Sequence, residues 1–266
     1  MTDRRILELI RRPNARFRET NGVSIPYFPL TLNPIRWLEA SAQYVTIDGS
    51  DDVTTWADQS PSNVPMEGAG SKPTYISSDP NLNDQGSIDF AASANEFLRE
   101  SIIHADLKCL HDGTGGTFIA VVDTDGADAQ QTLYSTSSNF TAVSTGFFVR
   151  YTGSGWRAAI MKGSSPFVAD RTGVITGGEK GVLVIRMKSG ESPEFNMRWN
   201  GVQIASDPTF DTTPSTGNPA DVARMGTNSS GTQAFDGRVS VIGVFPYLSL
   251  SDVTALEVFL STKYGL

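Results

Sequence analysis

The stretch Phe235-Asp236-Gly237-Arg238-Val239-Ser240-Val241-Ile242-Gly243-Val244-Phe245, with Ser249 to Leu266 behind it, decides the fold. Phe235, Val239, Val241 and Phe245 fall on one face of an extended chain, and Asp236, Arg238 and Ser240 on the other. That is the period-two alternation of a strand with one face in a core. Ser249 then reads as a helix N-cap with Asp252 at the third helical position, because a serine hydroxyl accepts an otherwise unpaired N–H of the first turn. Leu250, Val253, Leu256, Phe259 and Leu260 make one apolar stripe along the helix, and Gly265 ends it.

Upstream, the chain reads as antiparallel hairpins. Thr117 to Val122 and Val182 to Met187 are buried strands, and Gly146 to Tyr151 is joined to Trp156 to Lys162 by Thr152-Gly153-Ser154-Gly155. The strongest turn signal is Asn200-Gly201, between Phe195-Asn196-Met197-Arg198-Trp199 and Val202-Gln203-Ile204. A type I′ turn needs positive φ at both central residues, which these two tolerate. Asp207 to Asp221, with Pro208, Pro214 and Pro219, reads as a long surface loop.

The ending resembles that of the concanavalin A-like, or laminin-G-like, jelly-roll family of phage virion-protein type, in which a Phe-Asp-Gly strand precedes a helix running into Lys-Tyr-Gly, here Lys263-Tyr264-Gly265. Pro34 to Ser41 resembles the family's opening strand. Val53-Thr54-Thr55-Trp56-Ala57-Asp58-Gln59-Ser60 resembles its Val-x-x-Trp-x-Asp-x-Ser segment, and Gly86 to Phe90 with Phe97-Leu98 its next paired strands. The resemblance covers about residues 32 to 266 and implies an all-β, concanavalin A-like jelly-roll β-sandwich with a C-terminal helix. Such sandwiches host lectins, glycan hydrolases, adhesion modules and virion proteins, so the resemblance speaks to fold before function.

A chain of 266 residues can hold one such sandwich. It shows neither a leader nor an apolar run of about 20 residues. The expectation is synthesis in a host bacterial cytoplasm without a signal peptide, and no membrane insertion. One cysteine, Cys109, excludes an internal disulfide framework.

Charge is unevenly placed. The first twenty residues hold Arg4, Arg5, Arg11, Arg12, Arg16 and Arg18 against Asp3, Glu8 and Glu19, a net of +3 in a chain of −8, which leaves −11 on the remainder. Asp3 to Arg12 reads as a short helix with Ile6, Leu7 and Ile10 on one side, ended by Pro13. Residues 13–33 read as an extended, proline-punctuated strap. A helix of about ten residues is marginal unless its apolar face is buried, either on its own sandwich or on another subunit. Residues 1–31 are therefore read as a docking arm on a 32–266 body, with Arg4, Arg5, Ile6, Leu7, Ile10, Arg11 and Arg12 as contacts to other virion proteins. Nucleic acid is a poor partner for an acidic body. Three apolar residues are few for a membrane surface.

Catalytic signals are sparse. Retaining glycan hydrolysis needs two carboxylates about 5 Å apart, and neither Glu96 with Glu100 nor Glu191 with Glu194 has the spacing or strand context. His104, Cys109 and His111 match no common zinc pattern. Asp123, Asp125 and Asp128 end a buried strand and are candidate Ca²⁺ ligands, the alternative being a turn reversed by Asp125-Gly126. No cofactor is required. Trp156, at a hairpin base beside Gly155 and Arg157, is the candidate platform for stacking a sugar ring.

Two readings follow. The first is a non-enzymatic virion structural protein, on the capsid or in the tail apparatus, homo-oligomeric with a trimer among its forms, presenting a lectin-like sandwich to host-surface glycan. The second is a carbohydrate-active enzyme or secreted lectin.

Overall fold

The structure is a computed structural model describing residues 28–124, 130–137, 144–164, 167–175, 180–229, 231 and 233–266, and the backbone of 19–20 and 23–24. A two-stranded hairpin of β1 (Glu19–Thr20) and β2 (Val23–Ser24) precedes one helical turn, α1 (Phe28–Thr31). The strap expected over 13–33 thus contains a hairpin and a helical turn. β3 (Arg36–Glu39), β4 (Val45–Ile47), β5 (Val53–Trp56), β6 (Met66–Gly68), β7 (Thr74–Asp79), β8 (Gln85–Phe90) and β9 (Leu98–Arg99) follow. A 3₁₀ helix, Ala105–Leu110, leads to β10 (Gly116–Thr124), β11 (Gln131–Ser135), β12 (Thr145–Tyr151), β13 (Gly155–Lys162) and β14 (Ala169–Val174). The last elements are β15 (Lys180–Met187), β16 (Phe195–Trp199), β17 (Val202–Asp207), β18 (Arg224–Met225), β19 (Gly237–Pro246) and α2 (Leu250–Tyr264).

Two antiparallel sheets make an all-β jelly-roll sandwich. One runs β17-β16-β15-β10-β19-β8-β7, with β3 also on β19, and the other runs β14-β13-β12-β11-β18-β9-β6-β5-β4. Between them lies a core that includes Trp56, Phe90, Phe118, Phe147, Trp156, Trp199 and Phe235. A second apolar layer lies on the outer side of the eight-stranded sheet, where α2 covers Trp37, Ile119, Val121, Val184, Val241 and Phe245. Phe28 closes that layer against Phe259, with ring centroids 5.8 Å apart.

The alternation expected of β19 breaks at a bulge. Val241 pairs with Val121 and Val239 with Val122, so Ser240 is an extra residue, and one inserted residue flips the side chains that follow. Phe235, Val239, Ile242 and Val244 therefore face the inter-sheet core, whereas Val241 and Phe245 face α2. Ser240 is buried, and its carbonyl accepts the Ala40 N–H at 2.8 Å. Gly243 lies opposite Trp37, and a Cβ there would sit 3.0 Å from the indole ring, so the tryptophan fills the space above the glycine.

Two further expectations are corrected. Gly86–Phe90 and Phe97–Leu98 do not pair: β8 belongs to the eight-stranded sheet and β9 to the other. Leu250 is not in the buried stripe, because it starts the helix on the solvent side; Val253, Leu256, Phe259 and Leu260 are buried as expected. The Asn200-Gly201 turn forms with φ of 48° and 78°. Asp58, in the Trp56-x-Asp58-x-Ser60 segment, accepts the N–H groups of Trp37, Ser60 and Val64 and the Ser60 hydroxyl at 2.7–3.0 Å, tying that segment to β3.

At the start of α2 the Ser249 hydroxyl oxygen accepts the Asp252 N–H at 3.1 Å, and at the end Gly265 takes a left-handed φ of 68° with its N–H on the Ser261 carbonyl. Ser249→Ala should lower stability by about 1 kcal/mol. In a domain of this size that is a fall of about 2–4 °C in Tm, measurable by calorimetry.

Candidate functional site

The outer face of the nine-stranded sheet is where polar side chains collect on regular strands. The β12–β13 hairpin turns at Thr152–Ser154, which sets Arg150 opposite Arg157 and Phe148 opposite Ala159. Pairing with β11 and β14 extends these into two rows, Thr132-Arg150-Arg157-Thr172 and Ser135-Phe148-Ala159-Asp170. The alternate residues Phe147, Val149 and Tyr151 point into the core. The other face of this hairpin combines Arg150 and Arg157 with a small buried apolar cluster of Phe148, Ala159 and Met161.

Two guanidinium groups flank one ring. The Arg150 and Arg157 carbons Cζ lie 5.7 and 5.8 Å from the Phe148 ring centre, at cation–π range. Asp170 holds Arg157 in a two-point pair, Nε to Oδ1 at 2.6 Å and Nη2 to Oδ2. Arg150 Nη1 lies 3.4 Å from Gln130 Oε1. Burial and then the neighbouring Arg157 charge pull Arg150 below the ordinary guanidinium value, though an arginine stays cationic at any working pH. Arg157 and Asp170 are each about a quarter exposed, whereas Arg150 is buried. The Arg157 guanidinium and the exposed Thr172 hydroxyl suit an oxyanion or the hydroxyls of a polyol.

Trp156 is not the platform. Its indole is fully buried between the sheets, 5.4 Å from the Tyr151 ring and 5.8 Å from that of Trp199. The reason is strand parity: Trp156 pairs with Tyr151, both inward, and it is Arg157 that faces outward. The outward row could have been read from the hairpin sequence, since a three-residue turn between Tyr151 and Gly155 fixes which residues lie opposite each other.

The other candidates fall as follows. Arg4, Arg5, Ile6, Leu7, Ile10, Arg11 and Arg12 lie outside the described residues, as do Asp125 and Asp128. Asp123 is the next-to-last residue of β10, with its Oδ2 4.0 Å from Arg238 Nη1; the same guanidinium lies 3.5 Å from Asp79 and 3.7 Å from Asp89. Among the described residues no group of three or more His, Cys, Asp or Glu side chains is set to hold a metal ion. His104, Cys109 and His111 sit on and around the 3₁₀ helix Ala105–Leu110, and burial pushes the Cys109 thiol up to about 12. Glu100 is buried against Arg36, with Nε to Oε1 at 2.8 Å, and burial holds its carboxyl above the ordinary range.

No protein-family model matches the chain, and no curated protein matches it. Solved structures do. The binding domain of botulinum neurotoxin serotype D is similar with a TM-score of 0.59 at 9% identity, over 86% of this chain and 52% of that one. The binding domain of botulinum neurotoxin DC, in complex with rat synaptotagmin II, gives 0.57 at 10% identity over 88% and 53%. A structure of botulinum neurotoxin type C, whose cell entry depends on interaction with two ganglioside molecules, gives 0.56 at 9% identity over 89% and 53%. The chain thus spans about half the length of these structures, and at such identity the likeness is one of fold.

Since Arg238 already answers the Asp123 carboxylate, Tm should be the same in Ca²⁺ and in chelator. A rise with Ca²⁺ would assign the ion to Asp123, Asp125 and Asp128. A second expectation concerns His111, which is buried with Nε2 3.0 Å from the Gly217 carbonyl and Nδ1 without a partner. Burial holds its pKa below the usual value, so the unfolded chain takes up the proton more readily. The contribution to stability is full above about pH 6.5 and is lost as the pH falls from there toward the folded pKa. The Tm advantage of wild type over His111→Gln should therefore narrow from about pH 7.5 to about pH 5.5. A constant gap would contradict this.

Proposed function

We propose that this protein is a non-enzymatic structural and adhesive component of a phage particle, on the capsid or in the tail apparatus, docking by its N-terminal arm and presenting a lectin-like sandwich to host-surface glycan. The observation that carries this reading is the two-sided build of the sandwich. Phe28 packs on α2 over the eight-stranded sheet, while the guanidinium rows lie on the outer face of the opposite sheet. On the outer face Arg157, Asp170 and Thr172 reach the surface, on the side away from Phe28, a division that suits adhesion.

Binding is favoured over hydrolysis by the chemistry of the rows. Their one carboxylate, Asp170, is held at two points by Arg157, whereas glycoside hydrolysis employs two carboxyl groups, one of them a proton donor. The ganglioside interaction described for the similar neurotoxin type C is consistent with a surface-glycan ligand for this fold. The arm's share rests on its apolar face at Ile6, Leu7 and Ile10 and its excess of arginine, set against an acidic body.

The test is binding of the labelled full chain to a glycan array and to its particle. Arg157→Ala should weaken glycan binding by about tenfold, the worth of a charge-assisted hydrogen bond, with circular dichroism confirming that the variant is folded. Ile6→Asp with Ile10→Asp should block attachment to the particle and spare glycan binding. Release of reducing sugar from a bound glycan, abolished by changing one carboxylate, would overturn the reading.

A further inference from the structure

The exposed side of α2 inverts the usual pattern of a surface helix, in which charge faces water. Of its three charged residues, Glu257 turns inward onto Arg198, with Nε to Oε1 at 3.0 Å and Nη2 to Oε2 at 3.0 Å, and Lys263 turns inward onto Glu39 at 2.5 Å. The third, Asp252, is held by the Ser249 hydroxyl at 2.6 Å, at the positive end of the helix. Outward stand Leu250, Thr254, Val258 and Thr262, with Leu250 51% and Val258 45% exposed. These residues recur every fourth position, so they form one uncharged ridge about 18 Å long. Beside it a groove of about 320 Å³ runs between α2 and the β16–β17 turn, bordered by Thr254, Val258, Thr262, Gly201 and Leu266 and lined also by the paired Arg198 and Glu257.

We propose that this ridge and groove are the contact between two copies of this chain, helix against helix about a two-fold axis. Charge selects the occupant. The chain carries −8, so two copies meeting through a charged face would set like charges together. At the ridge both ion pairs are closed within the subunit, and two acidic copies approach without that repulsion. A cationic partner finds no free carboxylate on the ridge to pair with.

The ridge is also self-complementary, as a two-fold contact requires. In an antiparallel pairing about an axis beside Leu256, Thr254 of one copy faces Val258 of the other, and Leu250 faces Thr262. The second copy's Leu250 then enters the end of the groove beside Leu266. Threonine and valine are short enough to let the helices approach closely. Phe28 packs against Phe259, on the other flank of the helix from the ridge.

Sedimentation equilibrium of the full chain should show a dimer. Val258→Glu should raise its Kd by about tenfold or more, because it puts like charges together near the axis. Val258 is half-exposed, so circular dichroism and Tm of the variant should stay as in wild type. An equimolar mixture of Val258→Glu and Val258→Lys should recover the dimer that each loses alone. A monomer at every concentration, an odd-numbered assembly, or a dimer that Val258→Glu leaves intact overturns the proposal. In the last case, loss of the dimer in Ile6→Asp would give the contact to the arm.

Discussion

The bulge at Ser240 is the constraint on which the rest of the sandwich depends. β19 pairs with β10, β8 and β3, so its register fixes which faces of three neighbours turn inward. Without the extra residue, Val239 and Val241 would share a face, and either Phe235 and Val239 would leave the core or Ile242 and Val244 would exchange layers with Val241 and Phe245. The extra residue lets one strand serve two apolar layers in sequence. Each buried valine, leucine or phenylalanine contributes about 1.5–3 kcal/mol. A change of register would therefore cost several such side chains at once.

That division makes the two outer faces chemically different. The eight-stranded sheet has apolar residues on both sides and needs a roof, which α2 and Phe28 supply. The nine-stranded sheet carries on β12 and β13 only a small outer apolar cluster of Phe148, Ala159 and Met161, next to which arginine, threonine and aspartate are tolerated. The roof in turn explains the inward charges of α2. Arg198 on β16 and Glu39 on β3 point to the helix side, and a buried ion left alone would be strongly destabilising, so the helix provides Glu257 and Lys263.

Much of the fold was legible because it is written in local chemistry. The Asn200-Gly201 turn, the Ser249 cap and the Gly265 stop depend on residues within a few positions of one another, and each stands as read. The β19 face was misread because a bulge depends on the partner strand, which alternation within one segment does not report. The pairing of β8 with β9 failed for a related reason, since nearness in sequence does not say which sheet a strand joins. At the site, tryptophan chemistry suggested Trp156, but strand parity decided burial, and the outward position belongs to Arg157. Arg36 and Glu100 are 64 positions apart, and no motif links them.

The buried charges also bear on how an acidic chain keeps a dry core. Asp58 answers four donors, Glu100 takes Arg36, and Asp79 takes the Ser87 hydroxyl at 2.7 Å and the Asn81 N–H at 2.9 Å. Each carboxylate is bound to a group on another loop or strand, so it acts as a tie between segments that are distant in the chain. At the surface, the Arg157–Asp170 pair and the uncharged α2 ridge give the two outer faces different chemistry. Recognition of an anionic or polyhydroxyl ligand suits the first, and contact with a like-charged copy suits the second.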